Sequence, residues 1–236
     1  MKRNSSLRVL AIIALICLAF GLGHVVAAGE WKVEVVSGDR STVLTGADAA
    51  AMKAHTMKAA FLRSTGRIDG PSAYTVIPMD AILAQVGGIR PEQAIRVTAR
   101  DGYQMVYSFA QVNGGVFTYD DKGNTLRVGG ASMLLAFESE RDSADKLPRI
   151  IYGRPDGVVI TDGHFWAKAV AKIEVIKGVE DWQISLSGSE KVWLDRATFE
   201  SIVTCPVTPH PVVSWSVAEK DGSTSTYEGA PLWVVL

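Results

Sequence analysis

Glycine-centred turns interrupt this chain so often that no long helix can form, and the segments between them set the fold class. Asp101-Gly102 and Asn113-Gly114-Gly115 are turn sequences. Glycine reaches positive φ without steric cost, and Asp or Asn bonds back to nearby backbone. Between such breaks lie short apolar or alternating stretches at 31–36, 57–62, 94–98, 103–109, 115–119, 133–138, 157–160 and 172–176, which predict strands. Two segments read as helix. Residues 46–53 are Ala-rich and follow Thr45, a hydroxyl N-cap. The other begins at Pro78, which a first helical turn tolerates, and ends at Gly87-Gly88. The expected class is α+β, a strand-dominated mixed sheet or barrel with short helices.

The first 28 residues have a different character. Lys2, Arg3 and Arg8 precede an apolar run, and Val26-Ala27-Ala28 supplies a small-residue cleavage site before Gly29. This is the pattern of a secretory signal peptide, and the run is shorter than the ~20 residues of a membrane span. Residues 1–28 are therefore expected to direct export to the periplasm or exterior, and only an uncleaved leader would tie the chain to a membrane. The start lacks paired arginines, so the chain is expected to cross unfolded. The chain as a whole is 47% hydrophobic with few prolines, as in a globular protein. With 24 basic and 25 acidic residues overall, there is no clustered positive charge of the kind nucleic acid requires. The cysteines are Cys17 and Cys205. With Cys17 in the leader, no intrachain disulfide is expected and packing must supply the stability.

The chain also repeats itself. Tyr74-Thr-Val-Ile-Pro-Met-Asp-Ala-Ile-Leu83 answers Tyr227-Glu-Gly-Ala-Pro-Leu-Trp-Val-Val-Leu236. Asp69-Gly70 answers Asp221-Gly222, Leu44-Thr-Gly-Ala-Asp48 answers Leu194-Asp-Arg-Ala-Thr198, and Trp31 answers Trp182. These matches fall in one order at a nearly constant separation of about 150 residues. The organisation expected is a leader (1–28), a first domain (29–178), and the start of a second, similar domain (179–236) cut short inside a helix.

These motifs resemble the oxidoreductase molybdopterin-binding domain family, which has the sulfite-oxidase-like fold. The family's aromatic-x-Gly-Val-Pro-Leu-x-x-Leu-Leu segment is matched at 227–236 and, in degenerate form, at 74–83. Its Asp-Gly-Tyr turn between strands is matched by Asp101-Gly102-Tyr103, with Ser108 at the end of the second strand. Gly129-Gly130-Ala-Ser-Met-Leu-Leu-Ala136 and Trp166-Ala-Lys-Ala-Val-Ala-Lys-Ile-Glu-Val175 match its later strands. The resemblance implies a molybdopterin cofactor, with molybdenum bound by a cysteine thiolate on the core strand, a soft ligand. Here that strand reads Met57-Lys-Ala-Ala-Phe-Leu-Arg-Ser-Thr65, and its counterpart at 212–217 also lacks cysteine. Cys205 becomes the candidate metal ligand only if the strand alignment shifts. Tyr103, His164 and Arg63 are the cofactor-binding candidates. Export in unfolded form implies arrival without molybdopterin. Two readings follow. One is an exported molybdopterin-dependent-oxidoreductase-like protein lacking the molybdenum ligand in its first domain. The other is a cofactor-free binding module, with a small molecule or protein as ligand, on the same fold.

The remaining candidates are weaker. His55, His164 and His210 show no metal-ligand spacing. Asp120-Asp121-Lys-Gly123-Asn124 lacks the donors of a calcium loop and reads as a hairpin turn. Arg63, Arg67 and Arg149 are forks suited to an anion such as a pterin phosphate. No Gly-x-Ser-x-Gly or phosphate-binding loop occurs.

Overall fold

The computed structural model describes residues 31–187, 191–204 and 212–231. Residues 1–30, where a leader is expected, Cys205, His210 and the segment 232–236 lie outside the described residues. The described residues form sixteen strands, four short helices and two 3-10 turns, with strand at 51% and helix at 16%, so strand dominates as expected. The strands are β1 (Lys32–Ser37), β2 (Arg40–Thr45), β3 (His55–Leu62), β4 (Ile68–Pro78), β5 (Gln93–Ala99), β6 (Gln104–Ser108), β7 (Phe117–Tyr119) and β8 (Thr125–Val128). They continue as β9 (Ser132–Ser139), β10 (Arg149–Gly153), β11 (Ile160–Asp162), β12 (Val170–Lys177), β13 (Gln183–Ser187), β14 (Lys191–Asp195), β15 (Val213–Ala218) and β16 (Thr224–Gly229). The helices are α1 (Gly46–Ala51), α2 (Met79–Ala84), α3 (Phe109–Val112) and α4 (Arg196–Thr204).

Two mixed sheets carry the core. One has the order β2-β1-β12-β5-β6, the other β10-β9-β4-β3-β11-β7-β8. Both contain one parallel pair, β1 with β12 and β3 with β11. The alternation in β1 has its expected consequence: Lys32 and Glu34 are exposed, while Val33 and Val35 are buried. Val33, Ile95 and Ile173 of the first sheet join Met57, Val76, Leu135 and Ile151 of the second in one apolar cluster. Burial of that area is the main stabilising term.

Local chemistry fixes the helix ends. The Thr45 hydroxyl accepts from the Asp48 amide, and the Asp48 carboxylate accepts from the Thr45 amide, a reciprocal cap that satisfies two otherwise orphan donors. Pro78 precedes α2, and Gly88, at φ +79°, donates to the Leu83 carbonyl to close it.

Three sequence expectations need correction. The predicted strand at 157–160 is instead β11, beginning at Ile160, because Gly157 bridges back to Arg154 in a tight turn. The predicted strand 103–109 stops at Ser108, whose hydroxyl and the Gln111 side chain cap the single turn of α3. The predicted helix 46–53 ends two residues early, with Lys53 in a left-handed conformation at φ +54°.

The order hairpin, helix, hairpin occurs twice, as β1-β2, α1, β3-β4 and as β13-β14, α4, β15-β16. Each helix starts on the residue after its preceding strand. Thr45 and Asp195 hold the same place, and the Asp195 carboxylate accepts from the Thr198 amide at 2.8 Å. The first pair of hairpins is built into the two large sheets. The second pair forms separate two-stranded sheets among the described residues.

Candidate functional site

A cleft of about 570 Å³ opens where five segments meet: the end of β3 and its loop, the β5–β6 turn, the loop after β9, the start of β10, and the segment after β11. Each is positioned by its own local chemistry. At β3 the chain turns through Gly66, whose amide donates to the Arg63 carbonyl at 2.9 Å. At the β5–β6 turn the Asp101 carboxylate accepts from the Tyr103 amide at 3.0 Å, which holds Tyr103 at the rim. After β11, Asp162 caps a 3-10 turn, Gly163–Phe165, by accepting from the His164 amide at 2.9 Å. Gly163 is required there. A Cβ on it would stand 2.7 Å from the Phe61 ring and 2.9 Å from the Leu62 carbonyl oxygen.

Arg149 lies at the back of the cleft and is 1% exposed. One terminal nitrogen donates to Asp142 at 2.6 Å and the other to the Trp166 carbonyl at 3.2 Å. Its guanidinium sits 5.2 Å from the Trp166 ring centroid and 5.6 Å from that of Phe61. Its Nε has no hydrogen-bond partner among the described residues. A buried donor left unpaired costs about 1–3 kcal/mol, so native proteins rarely tolerate one without a reason. Arg141 covers the Phe61 ring at 5.1 Å, and Phe61 packs on Trp166 with centroids 4.8 Å apart. The Trp166 indole donates to the Thr161 hydroxyl at 2.9 Å, which fixes the ring plane.

Behind this wall, Asp69 is 4% exposed and gathers three arginines: Arg63, Arg67 at 3.1 Å and Arg141 at 2.8 Å. Burial pushes its carboxyl up, but hydrogen bonds and charge from Arg141 and Arg63 outweigh this and hold it at about 2. The cleft lining itself carries Arg63, Arg141, Lys146, Arg149 and Lys168 against the carboxylates Asp101 and Asp142. Lys168 is exposed as a residue, but partial desolvation of its ammonium in the cleft, then the charges of Arg149 and Lys146, pull it below its usual range. His164 is shifted the other way, because the Asp162 carboxylate, 3.4 Å from its Nδ1, favours the imidazolium.

The structure brings Arg63, Tyr103 and His164 into this one cleft, together with Arg149. Arg67 is held to Asp69 and does not line it. His55 lies at the other end of β3, in a separate cavity of about 250 Å³ with Met57 and Met133. Asp120 shapes the β7–β8 turn, accepting from the Lys122 and Asn124 amides. Cys205 and His210 fall outside the described residues. Sequence reasoning did not single out Lys146, Lys168, Arg141, Phe61 or Trp166. Their only signal was the Trp166-Ala-Lys168 run in the closing motif. No group of three or more His, Cys, Asp or Glu suited to a metal occurs among the described residues, and no described helix is long and apolar enough to cross a membrane. Compared with models of known protein families and with curated proteins, the sequence matches none.

Proposed function

We propose that this is an exported binding protein on a sulfite-oxidase-like, molybdopterin-binding type of fold, and that its cleft takes up a small anionic ligand with a flat unsaturated part. The observation that carries this reading is the buried Arg149 guanidinium, with an unpaired Nε, at the back of a cleft whose lining is rich in cations. Arginine and lysine groups of this kind bind carboxylate or phosphate, and the paired Phe61 and Trp166 rings offer a face to a planar group.

Molybdopterin is the cofactor the family resemblance implies, and the cleft fits only part of it. The guanidinium groups and rings suit a pterin phosphate. The metal is not suited, because the strand that would offer a thiolate reads Ala60-Phe61-Leu62-Arg63-Ser64 where it borders the cleft, with no cysteine. No redox step is therefore assigned to this cleft.

Calorimetric titration with pterin-6-carboxylate and with sulfate tests the reading. Saturable binding is expected that weakens with added salt, as charge-based binding does. Arg63→Gln with Lys146→Gln should lower affinity about tenfold or more, since one charged hydrogen bond contributes roughly 1.5–3 kcal/mol. Absence of binding for both anions, or molybdenum at one per chain in the exported protein, would overturn it.

A further inference from the structure

We propose that Lys168 is a nucleophile that forms an imine with 2-oxo acids held in the cationic cleft. The proposal rests on the anion-binding reading of the cleft and assigns the ligand class and the reacting atom. Three observations support it, the first being that the backbone around Lys168 is pinned on both sides. The Ala167 carbonyl accepts from the Ile150 amide at 2.8 Å. Ala169 donates to the Lys146 carbonyl at 2.9 Å, and its own carbonyl accepts from the Arg100 amide at 2.8 Å. Second, Ala169 is held at φ +51°, in the left-handed region. A residue with a Cβ adopts that region at a cost, and such strain clusters at functional sites. Its neighbour Lys168 lines the cleft.

The third observation is the company the amine keeps. Partial desolvation in the cleft disfavours its charged form first, Arg149 and Lys146 add like charge, Asp142 opposes them, and Arg63 contributes least. A lysine beside other cations keeps more of its free amine near neutral pH, which is how lysine nucleophiles are activated. The same cations would hold the carboxylate of a 2-oxo acid, placing the adjacent carbonyl carbon within reach of the amine. The Nζ lone pair then attacks that carbon and a C–N bond forms. The carbonyl oxygen leaves as water with both amine hydrogens, giving the imine without oxidant or cofactor.

The test uses the whole chain with pyruvate and cyanoborohydride, whose hydride reduces the C=N bond to a stable amine that peptide mass mapping locates. Lys168 is expected to label about tenfold faster than any other lysine, because the cations of the cleft hold the pyruvate carboxylate beside it. Sulfate should suppress this labelling, acetaldehyde, which has no carboxylate, should show a much smaller preference for Lys168, and Lys168→Arg should abolish the labelling. Labelling spread over the exposed lysines, with sulfate binding intact, overturns the proposal alone. Loss of both sulfate binding and labelling overturns the anion-binding reading with it.

Discussion

The Asp142 carboxylate lies 2.6 Å from the Arg149 guanidinium, and both side chains are buried, at 6% and 1% exposure. An ion pair in such a place gives up much hydration, so its two members are worth far more together than either is alone. Asp142→Asn is therefore expected to cost about 3–5 kcal/mol, the usual penalty for leaving a buried charge uncompensated. Arg149→Met should cost a similar amount. The double variant should be less destabilised than the sum of the two, read from urea midpoints in a double-mutant cycle. Additive effects would show that the pair is not coupled.

Asp69 links the same wall to pH. Its carboxyl titrates at about 2 in the folded chain, against 3.8 for the ordinary group, so the folded state binds its proton more weakly than the unfolded state does. The resulting stability is fully present above the unfolded value and is lost as pH falls through the folded one. The size is about 2 kcal/mol. Asp69→Asn should flatten the stability profile between roughly pH 4 and pH 2, followed by chemical denaturation at each pH. An unchanged profile would mean that the three arginines do not hold Asp69 as the geometry shows.

Much of the fold could be read in the sequence because its local rules agree with one another. Val33 and Val35 alternate with Lys32 and Glu34, and Thr45 caps the helix it precedes. The readings failed where burial removes alternation or where a breaker residue hides a strand. β10 is buried along its whole length and opens with Arg149, a residue normally read as surface. β4 runs through Gly70-Pro71, and proline within a run argues against a strand. Arg63, Tyr103 and His164 were placed together only by the family resemblance. Lys146, Lys168 and Arg141 each look like solvated loop charges along the chain, and only the meeting of five segments pools them.

Arg196 joins the second hairpin–helix–hairpin segment to β6 and α3. It is 2% exposed and bonds Asp181 at 3.1 Å, Glu200 at 2.6 Å and the Val106 carbonyl at 3.1 Å. Arg196→Met removes the donor from these three and from the Gln111 side-chain oxygen, a fourth partner at 3.4 Å. Asp181 and Glu200 are partly exposed and regain water, so the loss falls on the contact between α4 and β6. We expect amide hydrogen exchange to rise in α4 and at Val106 while β9 and β10 keep their protection. Unchanged exchange in α4 would show that apolar packing alone seats it.

His164 should make anion uptake depend on pH near neutrality. Its hydrogen bond with Asp162 raises its pKa above the usual 6.5, burial opposes this, and the charges of Asp162 and Asp195 add to the rise. The imidazolium that results lines the cleft with Arg63 and Lys168. Because the folded pKa is raised, the contribution to stability is complete below the unfolded value and is lost as pH rises through the folded one. Anion affinity should follow the same direction, stronger on the acid side and weaker above the folded pKa. Asp162→Asn removes the supporting carboxylate, so the midpoint of the affinity profile should move to lower pH. His164→Gln should flatten the profile at its alkaline-side level. Titrations with sulfate across pH 6–9 read both variants, since that anion keeps its double charge throughout. A wild-type profile without a step in that range would remove His164 from the site.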